Sequence, residues 1–368
     1  MTSETSSNRF SFSQARTIIA DLQQPKPAIY WIDFLLTIVV GHALFASVGY
    51  CLRNLEWSAP VAIWIAIAYC GIVLLYLRAT MFIHELVHLP KDAMQGFRVT
   101  WNLLCGIPFL LPSFLYYPHV EHHRRKHYGT EHDGEYLPLS HRSRWMVFLF
   151  MLQGLVVPPL AVFRFVVLSP ICWLIPGARQ FIHRHASTMV IDPFYRRTDG
   201  GSKVMRVVVL QEAACFAFCI GFFSVHFSIG GLWNPMWLFV YALGVGGVTL
   251  NAMRTLGAHR WTNDSGEMSF QDQLLDTLNY PERPWFTELW GPIGTRYHAL
   301  HHLFPRLPYH NLGEAHRRLM ADLPADSPYR ETVRVSLWQA ICELWSRAGH
   351  SGGRHFVSTD APGGQMVA

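Results

Sequence analysis

Residues 60–88, PVAIWIAIAYCGIVLLYLRATMFIHELVH, join a long apolar run to a pair of histidines. The run exceeds the roughly 20 residues that an α-helix needs to cross a bilayer. We therefore predict a transmembrane helix over 60–82. His84 and His88 follow at its end, four residues apart, so their imidazoles share one helix face. This spacing is typical of a pair of metal ligands.

The whole chain has the composition of a metal-binding membrane protein. Of its 368 residues, 51% are hydrophobic and 15% are charged, whereas soluble domains carry about 25% charged residues. Its 20 histidines approach the number of its acidic residues, 25, which suggests a metal site. The net charge of +5 fits basic loops beside a membrane, and no basic tract interleaved with aromatic residues indicates a nucleic-acid partner.

Four apolar stretches are long enough to span the membrane and form two hairpins, at residues 31–53, 60–82, 205–229 and 232–254. The short connections inside the hairpins lack Lys and Arg, whereas the long segments between and after them are rich in both. Because positive residues favour the cytoplasmic side, we expect both termini and all large loops there. The N-terminus lacks the apolar segment of a cleavable signal peptide.

Two further apolar stretches, 102–118 and 145–178, are interrupted by prolines. Both have to return to the side on which they start if their flanking segments are cytoplasmic. We therefore expect partly inserted or interfacial helices, with six spans as the alternative.

The predicted fold is an all-α membrane protein with four transmembrane helices in two hairpins, interfacial helices and a cytoplasmic, histidine-rich cap. We expect a polar cytoplasmic N-terminal segment over 1–30 and a membrane domain over 31–322. An amphipathic C-terminal helix over 323–350, starting near Pro328, and a disordered tail over 351–368 would follow.

Two more histidine clusters repeat the pattern His-x-x-His-His and begin at His119 and His298. The members of each, at positions i, i+3 and i+4, point the same way from one helical turn. All three clusters lie near ends of apolar segments that we expect at the cytoplasmic face, so they can converge on one site. A single histidine, His259, follows the fourth span. Nine ligands are enough for two metal ions and too many for one. The nine candidates are His84, His88, His119, His122, His123, His259, His298, His301 and His302.

The order of these clusters around two hairpins resembles the membrane fatty acid desaturase and hydroxylase superfamily. The third cluster continues as His301-His302-Leu-Phe-Pro-Arg-Leu-Pro, which is similar to the ending of this box in acyl desaturases. The resemblance extends over about residues 30–320. It implies a histidine-ligated di-iron centre that activates O2, with the nine histidines as its ligands.

Other residues near the clusters are candidates for supporting roles. Those that can orient a ligand from behind are Glu85, His127, His132, His310 and Thr255. Thr255 stands four residues before His259, where the resemblance to the stearoyl-CoA branch implies an asparagine that holds an iron-bound water. Arg124, Arg125 and Lys126 can dock an acidic electron carrier or an acyl headgroup, or simply anchor the chain at the membrane.

The resemblance implies O2-dependent oxidation of a fatty acyl chain. Chemistry agrees with this, since acid–base catalysis cannot oxidise an unactivated methylene and a cofactor has to supply the oxidant. The third box favours desaturation. Hydroxylation and oxidative decarboxylation to a 1-alkene, which the same fold supports, stay open as alternatives. The substrate is a fatty acyl group that is free or linked to CoA, a carrier protein or a lipid. No His-Pro-Gly-Gly haem motif occurs, so electrons must come from an external carrier of the ferredoxin, rubredoxin or cytochrome b5 type with a reductase.

Two readings from other classes explain less of the sequence. His84-Glu85-x-x-His88 fits an intramembrane zinc peptidase with Asp199 as third ligand, but this leaves two histidine clusters unexplained. A metal transporter or sensor would need polar residues along its spans, whereas the histidines lie at the ends.

Overall fold

The computed structural model describes residues 10–198, 200–264 and 266–349, and the regular secondary structure of this part of the chain is helical. The predicted all-α architecture is confirmed. Asp199 and the predicted tail lie outside the described residues. Within them, β-structure is limited to isolated bridges. The α-helices of the described part are α1 (Phe12–Ile18), α2 (Pro27–Asn54), α3 (Ala59–His88), α4 (Gln95–Trp101), α5 (His119–His122), α6 (Arg144–Phe163), α7 (Ser169–Leu174), α8 (Pro176–His185), α9 (Ser202–Gly230), α10 (Met236–Leu256), α11 (Phe270–Asp276), α12 (Pro284–Trp290), α13 (His298–Leu303), α14 (Tyr309–Asp322) and α15 (Leu337–Arg347).

Five helical segments of the described chain are long and apolar enough to cross a membrane. Four of them, α2, α3, α9 and α10, contain the four predicted spans. The fifth is continuous from Arg144 to Leu174 and falls where we expected a partly inserted or interfacial helix. Pro159 lies inside α6 without ending it. Since proline has no N–H for the carbonyl of Leu155, that oxygen instead accepts a hydrogen bond from the hydroxyl of Tyr241 in α10, at 3.0 Å.

The other interrupted stretch, 102–118, forms no long helix. After α4 the chain makes one π-helical turn over Asn102–Gly106 and one 3-10 turn over Ser113–Tyr116. Pro112 lies between the two turns and fixes an extended backbone there. The stretch leads directly into α5, where the second histidine cluster begins.

Glycines let α10 approach its two neighbours closely. A Cβ at Gly246 would collide with Tyr69 of α3, and one at Gly154 of α6 would collide with Thr249 of α10. In a membrane, where lipid is as apolar as a side chain, such close packing is a main source of helix association. Helices α3 and α10 are therefore held side by side. The first ends at the histidine pair His84 and His88, and the second leads to His259.

The polar termini are more closely integrated than the sequence predicts. Helix α1 lies within the predicted polar segment 1–30, yet Ala15 and Ile19 at this end of the chain are fully buried in the main core. Arg318 of α14 pairs with Asp21 at 2.7 Å and fastens this segment to the region beyond the third cluster.

The C-terminal helix is shorter than the predicted one. Pro328 opens only a 3-10 turn, and Val333 then forms a bridge with Asn279, so the chain is extended there. Helix α15 begins after Ser336, whose Oγ accepts the N–H of Gln339. Its exposed face carries Trp338, at 71% exposure, which suits a helix lying on the membrane surface.

A buried ion network ties α6–α8 to α9. Glu212 of α9 accepts hydrogen bonds from Arg164 and Arg179, both at 2.5 Å. Arg164 also donates to Ser169 Oγ at 2.9 Å and to Ser187 Oγ at 3.0 Å. Charges at this depth persist only when they are paired, so Glu212 holds the two arginines in place.

Replacing Glu212 by Ala leaves the Arg164 guanidinium without its counter-charge. We expect Glu212→Ala to lower the free energy of unfolding by about 3 kcal/mol, measured by titrating the detergent-solubilised protein with SDS. Glu282→Ala, which removes an exposed carboxylate that forms no ion pair within the described chain, serves as control. Equal unfolding midpoints for the two variants would show that the network contributes no stability.

Candidate metal centre

Four segments bring the nine predicted histidines together. The end of α3 carries two of them, α5 and the residue after it carry three, the loop after α10 carries one, and α13 carries three. The short helices α5 and α13 each provide about one turn, which is enough to present residues i, i+3 and i+4 on adjacent faces.

The nine histidines form two groups, within each of which one nitrogen per residue lies within 4.8 Å of the others. The larger group contains five members, His84, His88, His119, His123 and His301, and the smaller group contains four, His122, His259, His298 and His302. Each group thus combines side chains from three segments. The groups are adjacent, because the rings of His123 and His302 lie 4.1 Å apart between centroids.

The division of the histidines between the two groups depends on where each residue lies around its helix, which the sequence pattern alone does not predict. In the second cluster, His119 and His123 (i and i+4) belong to the larger group, while His122 (i+3) belongs to the smaller one. In the third cluster the arrangement is reversed, because only His301 (i+3) joins the larger group. Residues i and i+4 lie nearly in line along a helix, whereas i+3 is turned to the adjacent face.

The ring nitrogens converge as metal ligands do. The Nε2 atoms of His259 and His298 are 2.9 Å apart, those of His298 and His302 are 3.0 Å apart, and those of His88 and His301 are 3.2 Å apart. Two nitrogens bound to one ion at about 2.1 Å and at right angles are separated by about 3.0 Å. The arrangement fits a metal ion at the centre of each group.

Several buried ring nitrogens have no hydrogen-bond partner within the described residues. Both nitrogens of His84 are in this state, as is Nδ1 of His123, His298 and His301. A buried polar atom without a partner is costly, so a bound cation is a natural partner for the unpaired His84 ring.

Carboxylates and one tyrosine hold the rings from behind. Asp133 accepts from Nδ1 of His122 at 2.8 Å, and Glu135 accepts from Nδ1 of His119 at 2.9 Å. Such bonds fix the tautomer and direct Nε2 toward a metal. Neither carboxylate is among the predicted supporting residues. The acidic Asp133-Gly-Glu135 sequence shortly after the second cluster could have indicated them as partners of its histidines.

His259 is held through a longer connection. The hydroxyl of Tyr128 lies 2.8 Å from Nδ1 of His259 and donates to Asp276 at 2.7 Å. Asp276 also accepts from Tyr136 and Thr262. His259, the one candidate ligand outside the three clusters, therefore has the most extensive supporting network of the nine histidines.

Burial keeps the rings neutral, which is the form that binds a metal. Outside the membrane helices, burial, reinforced by the neighbouring imidazoles, holds the pKa of five rings well below its usual range: those of His119, His123, His298, His301 and His302. His122 differs. Burial lowers its pKa, but the charge and hydrogen bond of Asp133 outweigh burial and raise it.

The five predicted supporting residues form no hydrogen bond with the nine histidines. Glu85 accepts from the Tyr30 hydroxyl at 2.7 Å and from the Tyr309 N–H at 3.1 Å, so it joins α2, α3 and the start of α14. The Thr255 hydroxyl accepts from its neighbour Arg254 at 3.2 Å. Being close to a ligand in sequence therefore did not place either side chain in hydrogen-bond contact with the rings.

The three predicted histidine supports also have other contacts. His127 lies 2.7 Å from a carboxylate oxygen of Glu121, and the ring of the exposed His132 lies tilted against it at 5.1 Å between centroids. His310 accepts the N–H of Lys26. None of these contacts reaches a metal-facing ring.

The basic run after the second cluster is exposed. Arg124 pairs with Glu121 at 3.0 Å while 61% of its side chain remains exposed, and Arg125 and Lys126 are also exposed. A charged partner can therefore reach this run, which directly follows His123 of the larger group.

Comparison with known proteins agrees with this geometry. A fatty acid desaturase family model matches residues 56–333. A ceramide hydroxylase from Caulobacter vibrioides (strain NA1000 / CB15N) is 36% identical over 339 residues, which cover 91% of this chain and 93% of the relative. The chain therefore belongs to the fatty acid desaturase family, as the resemblance implied, and is a membrane-bound di-iron oxidoreductase of that family. The comparison favours hydroxylation, the alternative reading, over the preferred desaturation.

The two readings from other classes do not fit the family to which the chain belongs, and the zinc peptidase also fails on the geometry. In a zinc peptidase Glu85 would face the metal as a base, but its carboxylate is occupied by Tyr30 and Tyr309. A single-metal site also leaves one of the two histidine groups without a role.

The carboxylate behind His122 provides a direct test of the support network. We expect Asp133→Asn to weaken metal binding about 10–100-fold, measured by metal titration of the chelator-treated protein. Glu131→Gln is the matched control, because that side chain is 87% exposed and two residues away. If both variants bind metal like the wild type, Asp133 does not position the ligand.

Proposed function

We propose that this chain hydroxylates a ceramide-type lipid with O2 at a di-iron centre. The observation that carries the proposal is the joint presence of two buried histidine groups and a ceramide hydroxylase relative that matches almost the whole chain. The reaction balances as R–H + O2 + 2 e⁻ + 2 H⁺ → R–OH + H2O, with the electrons delivered by an external carrier.

The proposed ligands are the nine histidines, divided between the irons as the two groups divide them. The five-histidine group would hold one iron, and the four-histidine group would hold the other. When bound, the di-iron pair supplies the O2 chemistry that oxidises an unactivated C–H bond. Asp133, Glu135 and Tyr128 keep the Nδ1 atoms of their histidines engaged, so that Nε2 is free to face the metal.

Desaturation is the second candidate, supported by the third box and its His301-His302-Leu-Phe-Pro continuation. It uses the same oxidant and electrons but forms C=C and two waters. The ligand cluster is the same for either reaction, so the product distinguishes them.

The proposed orientation places both termini and the histidine groups on the cytoplasmic side, since the basic loops favour that side. It requires that the helix Arg144–Leu174 returns to the side on which it starts, because five crossings would separate the termini. An acidic electron carrier of the ferredoxin, rubredoxin or cytochrome b5 type would dock on Arg124, Arg125 and Lys126. These side chains are exposed and immediately follow the second histidine cluster.

Product analysis tests the reaction. The chain is expressed with a reductase system and fed labelled ceramide and free fatty acids, and lipids and headspace are examined by mass spectrometry. We expect ceramide that has gained one oxygen. A new double bond would support desaturase, and a volatile alkene one carbon shorter would support decarboxylase; either would overturn the proposal.

Iron content tests the ligands. The wild type should contain about two irons per chain, because two groups of histidines are present. We expect His302→Ala to leave at most about one iron and to abolish product formation, with His122→Ala behaving alike because both belong to one group. His132→Ala, exposed and outside both groups, is the control. Two irons and full turnover in His302→Ala would refute the ligand assignment, and one zinc without iron in the wild type would refute the centre.

A further inference from the structure

One face of α10 is left open between its packing contacts. Gly246 faces α3 and Gly244 faces α6. Gly247 lies on the face between them, and a Cβ placed there would meet no atom within 4 Å. Since residues three and four apart share a helix face, Asn251 and Arg254 continue this open face toward the metal centre.

Arg254 is a membrane-helix cation that forms no ion pair within the described chain. Its Nε donates to Asn251 Oδ1 at 3.1 Å and its Nη2 to Thr255 Oγ1 at 3.2 Å, and both partners are neutral. Among the described residues, no carboxylate oxygen lies within 4.0 Å of its guanidinium, and its Nη1 forms no hydrogen bond. The side chain is half-buried in the last turn of α10. An unpaired cation at such a position is costly and therefore marks a ligand site.

Arg254 also lies beside the metal centre. It is close enough to interact electrostatically with His84 of the five-histidine group, with Tyr116 and with Glu135, the carboxylate that holds His119. The Tyr116 ring stacks on that of His119 at 4.6 Å between centroids. Glu135 balances part of the charge at a distance, but the N–H groups of Nη1 stay available to a polar group of the substrate, which the middle of an apolar chain does not offer.

We propose that Arg254 binds the amide carbonyl of the ceramide, so that the chain hydroxylates a carbon within a few bonds of the polar head. The acyl chain would then lie along the open face at Gly247. This inference rests on the proposed function and adds the residue that sets the position of oxidation. An amide carbonyl accepts a hydrogen bond without bringing a charge into the membrane, and Arg254 Nη1 has such bonds to give.

Substitution of Arg254 tests the headgroup contact. Equilibrium binding of radiolabelled ceramide to the iron-loaded protein without an electron donor is measured beside KM, kcat and product position with the donor present. We expect Arg254→Gln to weaken binding and raise KM about 10–100-fold, to scatter the hydroxylation position and to keep two irons. Arg254→Lys should fall between. Arg206→Gln, an exposed cation on α9, is the control.

Substitution of Gly247 tests the path of the chain independently. Gly247→Leu should exclude long acyl chains while short-chain ceramide still binds. Gly221→Leu on α9 is the matched control, because a Cβ there also meets no atom within 4 Å. Leucine is a better helix former than glycine, so neither variant should unfold the protein. Unchanged binding of long chains in Gly247→Leu would overturn the proposed path.

The outcomes separate the inference from the function on which it rests. If the wild type hydroxylates ceramide and Arg254→Gln binds and positions it equally well, only the inference fails. If ceramide binds through Arg254 but the product has a double bond, only the hydroxylase function fails. If free fatty acid binds and ceramide does not, both fail.

Discussion

The packing of nine imidazoles into one buried space is the constraint on which this structure depends. Neighbouring rings approach within 4.1–4.3 Å between centroids, so more than a few protonated rings would repel one another strongly. Burial favours the neutral form, and neutral imidazoles direct lone pairs toward shared points. Two cations bound at these points would accept the lone pairs, so that the neutral rings can pack closely. The acidic residues behind the rings would balance part of the charge that the cations bring.

The division of the clusters between the two groups has a structural consequence. Because α5 and α13 each contribute to both groups, each metal would cross-link the end of α3 or the loop after α10 to both short helices. Helices of one or two turns have little stability of their own. Their geometry is therefore held by long-range contacts, such as the Asn279 side chain, whose oxygen accepts the Leu300 N–H and whose nitrogen donates to Thr332. Folding of the cap and assembly of the metal centre are coupled in this way.

The sequence predicts the spans and the nine histidines because both depend on local periodicity. Hydropathy over 20 residues and spacings of three or four residues can be read without knowing the fold. The support of His259 could not be predicted, because it joins distant positions: Tyr128 and Asp276 are 148 residues apart. The bond between Glu85 and Tyr309, which are 224 residues apart, was hidden for the same reason. Asp133 and Glu135 follow the second cluster closely, so the sequence did offer a signal for them. The continuous helix through Pro159 depends likewise on the Tyr241 hydroxyl of another helix. The α15 boundary was missed because Val333 is held in an extended conformation by Asn279.

The metal ligands define a class of oxidation but do not choose among its products. Any C–H bond held beside the centre is a candidate for attack, so the choice of reaction depends on how the lipid is held. The HHLFP ending begins in the ligand-bearing helix α13 and continues just beyond its end at Leu303. It therefore belongs to the metal centre that both reactions share and does not decide between them. The features of this chain that we propose to make that choice lie on α10, where Arg254 and the open face at Gly247 stand outside the ligand set. A polar head held by Arg254 would place the carbons next to that head, and not the middle of the acyl chain, beside the histidine groups.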